Sequence, residues 1–498
     1  MKHLAFLSTG LALASTATAQ SVPPGESPAL GYDRITQAEV ESGTLSHFEL
    51  RMAGLRMFAT PFNKYDGHGD GVFDVLDPDH TTPEHGNRPY LQNNGTFLRI
   101  NGLDAQTCQE CHGIVSNGVV PARLGIGGVA GIANTAMPIP TEIDVDDEAG
   151  NGFAFYNGRL INPPFLFGAG GVELVGKEMT RDLQDLKALA EANPDTDVAL
   201  VTKGVSFGTI RFDSGTNDFD TSAVEGIDED LVVRPFGRKG EFTSTRQFDI
   251  GALMFHFGMQ PVEAVGLGVD ADDDGVVNEI MPGELSAMHI FATSNERPRQ
   301  VGAQRPAARR GRIRFEEAGC VMCHVPEQRT GTRFLPLGFP EVLSDPWANV
   351  YYQIDLSQDP PKFRRAGAGV EVELFSDLKR HDMGPALAES VGSPLDAQFI
   401  TPRLWGVADT APYLHDGRAL TLSEAILMHG GEGQFAADNF AAMPDQARED
   451  LLAFLRTLRT PIDPSQDIAE ALQALTAGPD GGYFAPEDAP VGSVKASF

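Results

Sequence analysis

Two short runs carry residues whose types and spacing do recognisable chemistry: Cys108-Gln109-Glu110-Cys111-His112 and Cys320-Val321-Met322-Cys323-His324. Each is Cys-x-x-Cys-His, the attachment pattern of a c-type haem. Two thiols at this spacing each bond one vinyl arm of the same porphyrin, and the adjacent histidine reaches the iron from the proximal side. The pattern assigns Cys108, Cys111, Cys320 and Cys323 to covalent attachment and His112 and His324 to iron, so two covalently bound haem c groups are expected. The chain has 4 cysteines. Both pairs are used this way, which leaves none for a structural disulfide or a free nucleophile. The competing chemistry, two thioredoxin-like dithiols, needs a strand–turn–helix setting that the sequence does not clearly show.

Thioether attachment needs export and reduced thiols together, and the first residues fit export. Lys2 and His3 precede a short run rich in Leu and Ala, and Ala17-Thr18-Ala19 is a small-residue cleavage pattern. A signal peptide over 1–19 follows, with a mature start at Gln20. The apolar run is too short to span a bilayer, and no other stretch is a candidate transmembrane segment. The periplasm of a Gram-negative cell is the expected location.

The chain's 498 residues suggest two or three domains. With 69 acidic against 38 basic residues the formal charge is -31, which argues against a nucleic-acid partner. A cationic redox protein would be steered toward such a surface, although acidity that serves only solubility explains it equally well. The 54 glycines and 34 prolines point to many loops around modest helices rather than a regular sheet or bundle.

Other residues are candidates for the work around the irons. Phe248 to Pro261 reads as a buried helix on which His256 and Met259, three apart, share a face. Either can approach the first haem from its distal side; the alternative is plain core packing. Asp270, Asp272, Asp274, Gly275 and Asn278 occupy positions 1, 3, 5, 6 and 9 of a Ca²⁺ loop. Met281 stands where the bidentate Glu belongs, with Glu279 or Glu284 as substitutes, and an acidic turn without metal is the alternative. A more degenerate loop of the same kind runs through Asp66, His68, Asp70 and Asp74. Glu173 follows a Pro- and Gly-rich apolar loop, Asn162 to Gly170, where a charge is out of place. It is the candidate acid/base for moving a proton between peroxide oxygens, against a carboxylate that only meets the helix dipole. Arg159 is a candidate to stabilise developing negative charge or a haem propionate. Trp405 and Tyr413 are relay or packing residues. Thr421 and Glu424 form a capping box for a helix that ends at His429-Gly430-Gly431.

The runs Leu374 to Pro385 (LFSDLKRHDMGP), Thr401 to Arg418 (TPRLWGVADTAPYLHDGR) and Thr421 to Gly433 (TLSEAILMHGGEG) resemble the di-haem oxidoreductase family. That family groups with the bacterial di-haem cytochrome c peroxidases and the MauG-type enzymes. Asn162 to Glu173 (NPPFLFGAGGVE) and Asp270 to Glu279 fit the same picture, so the resemblance extends from about Asn101 to Leu458. It implies a mainly α fold of two cytochrome c-like haem domains with long loops and little β structure. The expected division is an elaborated N-terminal haem domain over 20–300, a C-terminal one over 301–470, and a loose tail over 471–498. It also implies one low-spin haem for electron transfer and one with an open or displaceable distal site where peroxide or oxygen reacts. Aligned on Thr421, the place of the peroxidases' ligand methionine falls to His429, with Met428 beside it. Bis-histidine ligation by His324 and His429 is therefore implied, with a lower potential than His–Met gives. The peroxidases' distal-histidine loop is not found, since no histidine occurs between His112 and His256.

The expected function is a periplasmic di-haem redox enzyme that reduces peroxide or activates oxygen at the N-terminal haem. Electrons would come through the C-terminal haem from a small soluble donor, a cytochrome or a cupredoxin. The alternatives are a di-haem electron carrier without catalysis and a MauG-like enzyme that oxidises a partner protein.

Overall fold

A computed structural model describes residues 26–69, 107–112, 137–144, 155–389 and 397–461. The expected signal peptide over 1–19 and the expected tail over 471–498 lie outside the described residues.

Local signals start the helices. Ser46 accepts from the Glu49 backbone N–H, and the Glu49 carboxylate accepts in return from Ser46, which closes a capping box on helix His47–Ala59. The long helix Ala169–Ala192 is buried almost all round in its first three turns and presents charge only later. Helix Pro282–Thr293 is buried along nearly its whole length, and its polar side chains Glu284, Ser286 and His289 find partners inside. It crosses His47–Ala59 at Gly54, where any Cβ would fall on the Ala287 carbonyl. Gly311 does the same for helices Pro306–Glu317 and Asp445–Leu455, its missing side chain leaving room for the Asp450 carbonyl.

The expectation of a mainly α fold with little β structure is corrected here. The described residues hold fourteen short strands in antiparallel sheets two or three strands wide, so the fold is mixed α and β. Strands Asp197–Thr202 and Val205–Asp213 close a hairpin through Lys203 and Gly204, at φ 48° and 79°, the double positive φ that a two-residue turn needs. Val350–Asp355 pairs with Phe334–Gly338, and Gly369–Val372 pairs with both Arg364–Ala366 and Gln328–Arg329. Their β-branched and aromatic residues pack against helix Ala169–Ala192, which is what makes these runs strands. Abundant Gly and Pro indicates frequent turns, but the same turns that bound loops also bound short strands.

Three apolar clusters matter for the site. The largest joins Val172, Leu174 and Leu200 to Leu335, Ile354, Val370 and Trp405, and so draws on both sides of residue 300. A second contains Met57, Phe62, Leu253, Phe257, Met259 and Met288, with Cys108 and Cys111 packed against it. A third contains Phe315, Phe375, Phe440, Leu451 and Phe454, with Cys320 against it. Each cysteine pair thus has its own apolar wall.

Candidate functional site

The second cysteine pair is presented by helix Pro306–Glu317. The chain turns through Gly319, at φ 87°, into a single 3₁₀ turn over Cys320–Met322, and the His324 N–H donates to the Cys320 carbonyl at 2.9 Å. Nδ1 of His324 lies 3.1 Å from the Phe375 carbonyl oxygen. A ring whose Nδ1–H is held by a carbonyl keeps Nε2 as the free lone pair for a metal. His429 is held in the same way, its Nδ1 2.7 Å from the Ala425 carbonyl oxygen. That carbonyl belongs to helix Leu422–Leu427, which Thr421 and Glu424 cap from both sides.

The two rings stand with centroids 6.4 Å apart and planes at 61°. Imidazoles on opposite faces of one metal, each bonded at about 2 Å, have ring centres roughly 6 Å apart. Burial and the neighbouring His429 ring lower the His324 pKa to about 4, and burial lowers that of His429. Neutral imidazole is the form a metal takes. These residues fit a covalent haem with an imidazole on either side.

His381 sits beside this pair, buried between two carboxylates. Its Nε2 is 2.8 Å from Asp377 Oδ2 and its Nδ1 is 2.7 Å from Glu432 Oε2. Burial alone would lower its pKa, but Asp377 and the Cys323 thiol raise it to about 11. The Cys323 share belongs to a free thiol and disappears in a thioether. The backbone N–H of Asp382 donates to the other oxygen of Glu432 at 2.9 Å.

At the first pair, a 3₁₀ turn over Cys108–Glu110 leads to His112, whose N–H donates to the Cys108 carbonyl at 3.0 Å. Its Nδ1 is 2.7 Å from the Pro164 carbonyl oxygen, so this ring too is anchored with Nε2 available. Asn162, two residues before Pro164, donates through its side-chain amide to the carbonyls of Pro412 and Leu414 at 2.8 and 2.9 Å. That ties the anchor loop to the Thr401–Arg418 run. The ring of Phe248 stands edge-on to His112 at 5.8 Å. Among the described residues no second imidazole pairs with His112 as His429 pairs with His324.

His256 and Met259 do not share a helical face. The helix that starts at Thr245 passes into a π-turn over Leu253–Phe257 and stops at Gly258, at φ 67°. A π-turn changes the angular spacing that a three-residue separation assumes. His256 stacks edge-on against Phe255 at 4.9 Å. Met259 is fully buried in the cluster that holds Cys108 and Cys111.

Glu173 is fully buried on helix Ala169–Ala192. It faces His289 Nε2 at 2.9 Å and Lys177 Nζ at 2.7 Å, and it accepts from the Thr245 N–H at 3.1 Å. Burial would raise its pKa, but the His289 ring and the Lys177 ammonium hold it down to about 2. Glu341 joins the same group of metal-capable ligand atoms, but the ammonium of Lys177 already supplies the cation that Glu173 needs. A shallow pocket lined by Lys177, Thr180, Thr243 and Glu341 opens beside them. The Glu173–Lys177 pair is legible in the sequence as an i,i+4 spacing. His289 lies 116 residues from Glu173 in sequence and carries no such signal. Arg159 lies on strand Phe155–Ile161, its backbone opposite Ile139; its side chain lies outside the described residues.

Carboxylate oxygens of Asp270, Asp272 and Asp274 come within 4.8 Å of one another. Asp270 accepts from the Asp274 and Gly275 N–H groups, and Asn278 Oδ1 accepts from Gly268 N–H at 2.7 Å. Burial, and then the three aspartates, push the Glu279 carboxyl up to about 9. In the earlier loop Asp66 binds the backbone N–H groups of Ala29, Leu30 and Asn63, while Asp70 and Asp74 lie outside the described residues. Trp405 is buried, 6.3 Å from the Phe363 ring. No helix among the described residues is long and apolar enough to cross a membrane.

Residues 352–458 match the family described as "Di-haem oxidoreductase, putative peroxidase". The chain is similar to the cytochrome-c peroxidase IdrP1 of Denitromonas iodatirespirans, at 29% identity over 160 residues, covering 30% of this chain and 40% of that protein. It is similar to the protein of the same name from Pseudomonas sp. (strain SCT), at 28% over 164 residues, covering 30% and 39%. The matched region thus spans about 40% of the length of these curated relatives. Among solved structures, a MauG-like protein associated with microbial copper homeostasis aligns at 20% identity over 46% of this chain and 71% of that one, with a TM-score of 0.27. The hydrazine synthase of Kuenenia stuttgartiensis aligns at 20% identity over 36% and 56%, with a TM-score of 0.22. Over residues 352–458 the chain thus resembles a di-haem oxidoreductase, peroxidase-like family, and the curated relatives it is similar to are cytochrome-c peroxidases. Its two Cys-x-x-Cys-His pairs are consistent with two covalent c-type haems.

Proposed function

We propose that this protein is a periplasmic di-haem redox enzyme. It reduces peroxide or activates oxygen at its N-terminal haem, with electrons passed through its C-terminal haem from a small soluble carrier. The observation that carries this reading is the asymmetry between the two sites. His324 has a second anchored imidazole, His429, at 6.4 Å. His112 has the ring of Phe248 at 5.8 Å, which offers a metal no lone pair. A six-coordinate iron suits electron transfer and an open one suits reaction with a ligand.

Haem bound at these pairs would supply one-electron chemistry and, where a coordination position is open, binding of a small oxidant. The protein's own part is narrower. Pro164 and Phe375 fix the two proximal imidazoles through Nδ1, and His429 closes the second site. Glu173, retained as the acid/base candidate, takes part by orienting His289, because a carboxyl held at about 2 stays ionised at neutral pH and keeps its contact with that ring. Arg159 is retained as the candidate partner of developing negative charge or a propionate. In this reading export follows from the 1–19 signal peptide, and Asp270, Asp272 and Asp274 with Glu279 hold Ca²⁺, whose charge would offset the cost of burying Glu279 among them.

The test is electronic and EPR spectroscopy of the oxidised and half-reduced protein, followed by peroxide and, on the reduced protein, carbon monoxide. One low-spin and one ligand-reactive iron are expected, with peroxide consumed when a reduced carrier is supplied. Two low-spin, unreactive irons would replace this reading with that of an electron carrier. Turnover only with a protein substrate would replace it with a MauG-like one.

A further inference from the structure

Beyond the ligands themselves, one segment touches the surroundings of both. Phe375 supplies the carbonyl that holds His324 Nδ1 at 3.1 Å. Two residues on, Asp377 takes His381 Nε2 at 2.8 Å. His381 Nδ1 and the Asp382 N–H then reach the two oxygens of Glu432, at 2.7 and 2.9 Å. Glu432 is three residues past His429 in a turn where the backbones meet directly. A Cβ on Gly430 would stand 2.8 Å from the Met383 carbonyl, and one on Gly384 2.9 Å from the Gly431 nitrogen. A Cβ on Gly433 would stand 3.1 Å from both the Met383 methyl and the His429 Cβ. The segment is itself fixed from behind, with Ser376 Oγ donating to the Thr401 carbonyl at 2.7 Å and Leu404 N–H to the Leu374 carbonyl at 3.1 Å.

We propose that Phe375–Gly384 is a positioning strap that sets the separation of His324 and His429, with His381 and Glu432 as its fastening. One end orients the proximal ring. The other end holds the turn that carries the distal one. The inference rests on the axial reading of these two histidines given above. In this proposal His381 and Glu432 are positioning residues that act through His429, with His381 also beside Cys323. Partners one shell outside a metal ligand commonly change its binding by about 10–100-fold. The expected consequence is that His429 would stay bound to a haem iron held here when that iron is reduced.

The experiment uses the full-length, haem-loaded protein and three variants: His429→Ala, Glu432→Ala and His381→Gln. His429→Ala must open the C-terminal iron, seen as loss of one low-spin EPR signal and new carbon monoxide binding by the reduced protein. In Glu432→Ala and His381→Gln the same low-spin signal should shift or broaden, and carbon monoxide capture at that iron should rise about tenfold. Parental signals and capture rates in both strap variants, alongside an opened iron in His429→Ala, overturn the strap alone. An unchanged low-spin signal in His429→Ala overturns the axial reading, and the strap falls with it. Should Glu432→Ala not load haem, Glu432→Gln keeps the side chain's length, replaces one acceptor oxygen with an N–H donor, and is read in the same way.

Discussion

Glu173 and His289 meet in the core at 2.9 Å, both with no solvent exposure, and Lys177 closes the group at 2.7 Å from the same carboxylate. A buried ionic group of this kind is sensitive to losing one member, because the remaining charges cannot be resolvated. Glu173→Gln should lower stability by about 3 kcal/mol or more. The pH dependence has a definite sign. The folded carboxyl is held at about 2 against an ordinary value of 4.5. Its contribution is therefore complete above pH 4.5 and fades as pH falls toward 2. Denaturant midpoints measured between these limits should fall with acid in the parent and lose this component in Glu173→Gln. Equal slopes would show that the group does not carry the charge assigned to it.

Glu279 predicts the opposite trend. Its folded carboxyl is raised from 4.5 to about 9. The folded state then holds the proton more tightly than the unfolded one, so stability is complete below pH 4.5 and declines as pH rises through about 9. In chelator-treated protein, Glu279→Gln should be more stable than the parent at pH 8. Added Ca²⁺ should raise the parent's unfolding midpoint more than the variant's. A parent whose midpoint is indifferent to Ca²⁺ would remove the calcium reading.

The second haem's ligation predicts a spectroscopic outcome separate from stability. His429→Met puts a thioether where the imidazole stands. It should keep a six-coordinate iron while raising the midpoint potential of one haem and leaving the other's unchanged, since an axial methionine raises potential relative to an imidazole. A redox titration in which neither midpoint moves would exclude His429 from the iron.

Close helix crossings give a prediction with no haem component. Gly54→Ala puts a Cβ onto the Ala287 carbonyl, where rigid backbone has to give way. A cost of about 1–3 kcal/mol is expected from overpacking, read as a lower unfolding midpoint with unchanged haem spectra. Gly69→Ala is the contrast for space alone. Nothing lies within 4 Å of a Cβ there, and its cost would come only from its φ of 106°.

Much of the site was legible because its chemistry is local. Cys-x-x-Cys-His needs only adjacent residues to bond one porphyrin, so His112 and His324 follow from spacing. The Thr421–Glu424 cap needs only one helical turn, and the folded chain closes it as the residues suggest. The family runs after the second pair are likewise contiguous strings. Apolar periodicity over Phe248 to Pro261 predicts a single helix because it does not announce a π-turn or its end at Gly258. The short strands between residues 328 and 372 leave little trace in the sequence because each is brief and gains its stability from packing on helix Ala169–Ala192 rather than from its own pattern.

The sequence by itself determined where porphyrins could be attached and which turns start the helices, because those interactions join residues one to four apart. Only the tertiary structure decided what stands around them. It brought the Pro164 and Phe375 carbonyls to the two proximal rings, His429 to 6.4 Å from His324, and His289 to Glu173. These pairs are 51 to 116 residues apart or lie on separate elements, and no periodicity links them. Their distances are set by how the helices and short sheets pack.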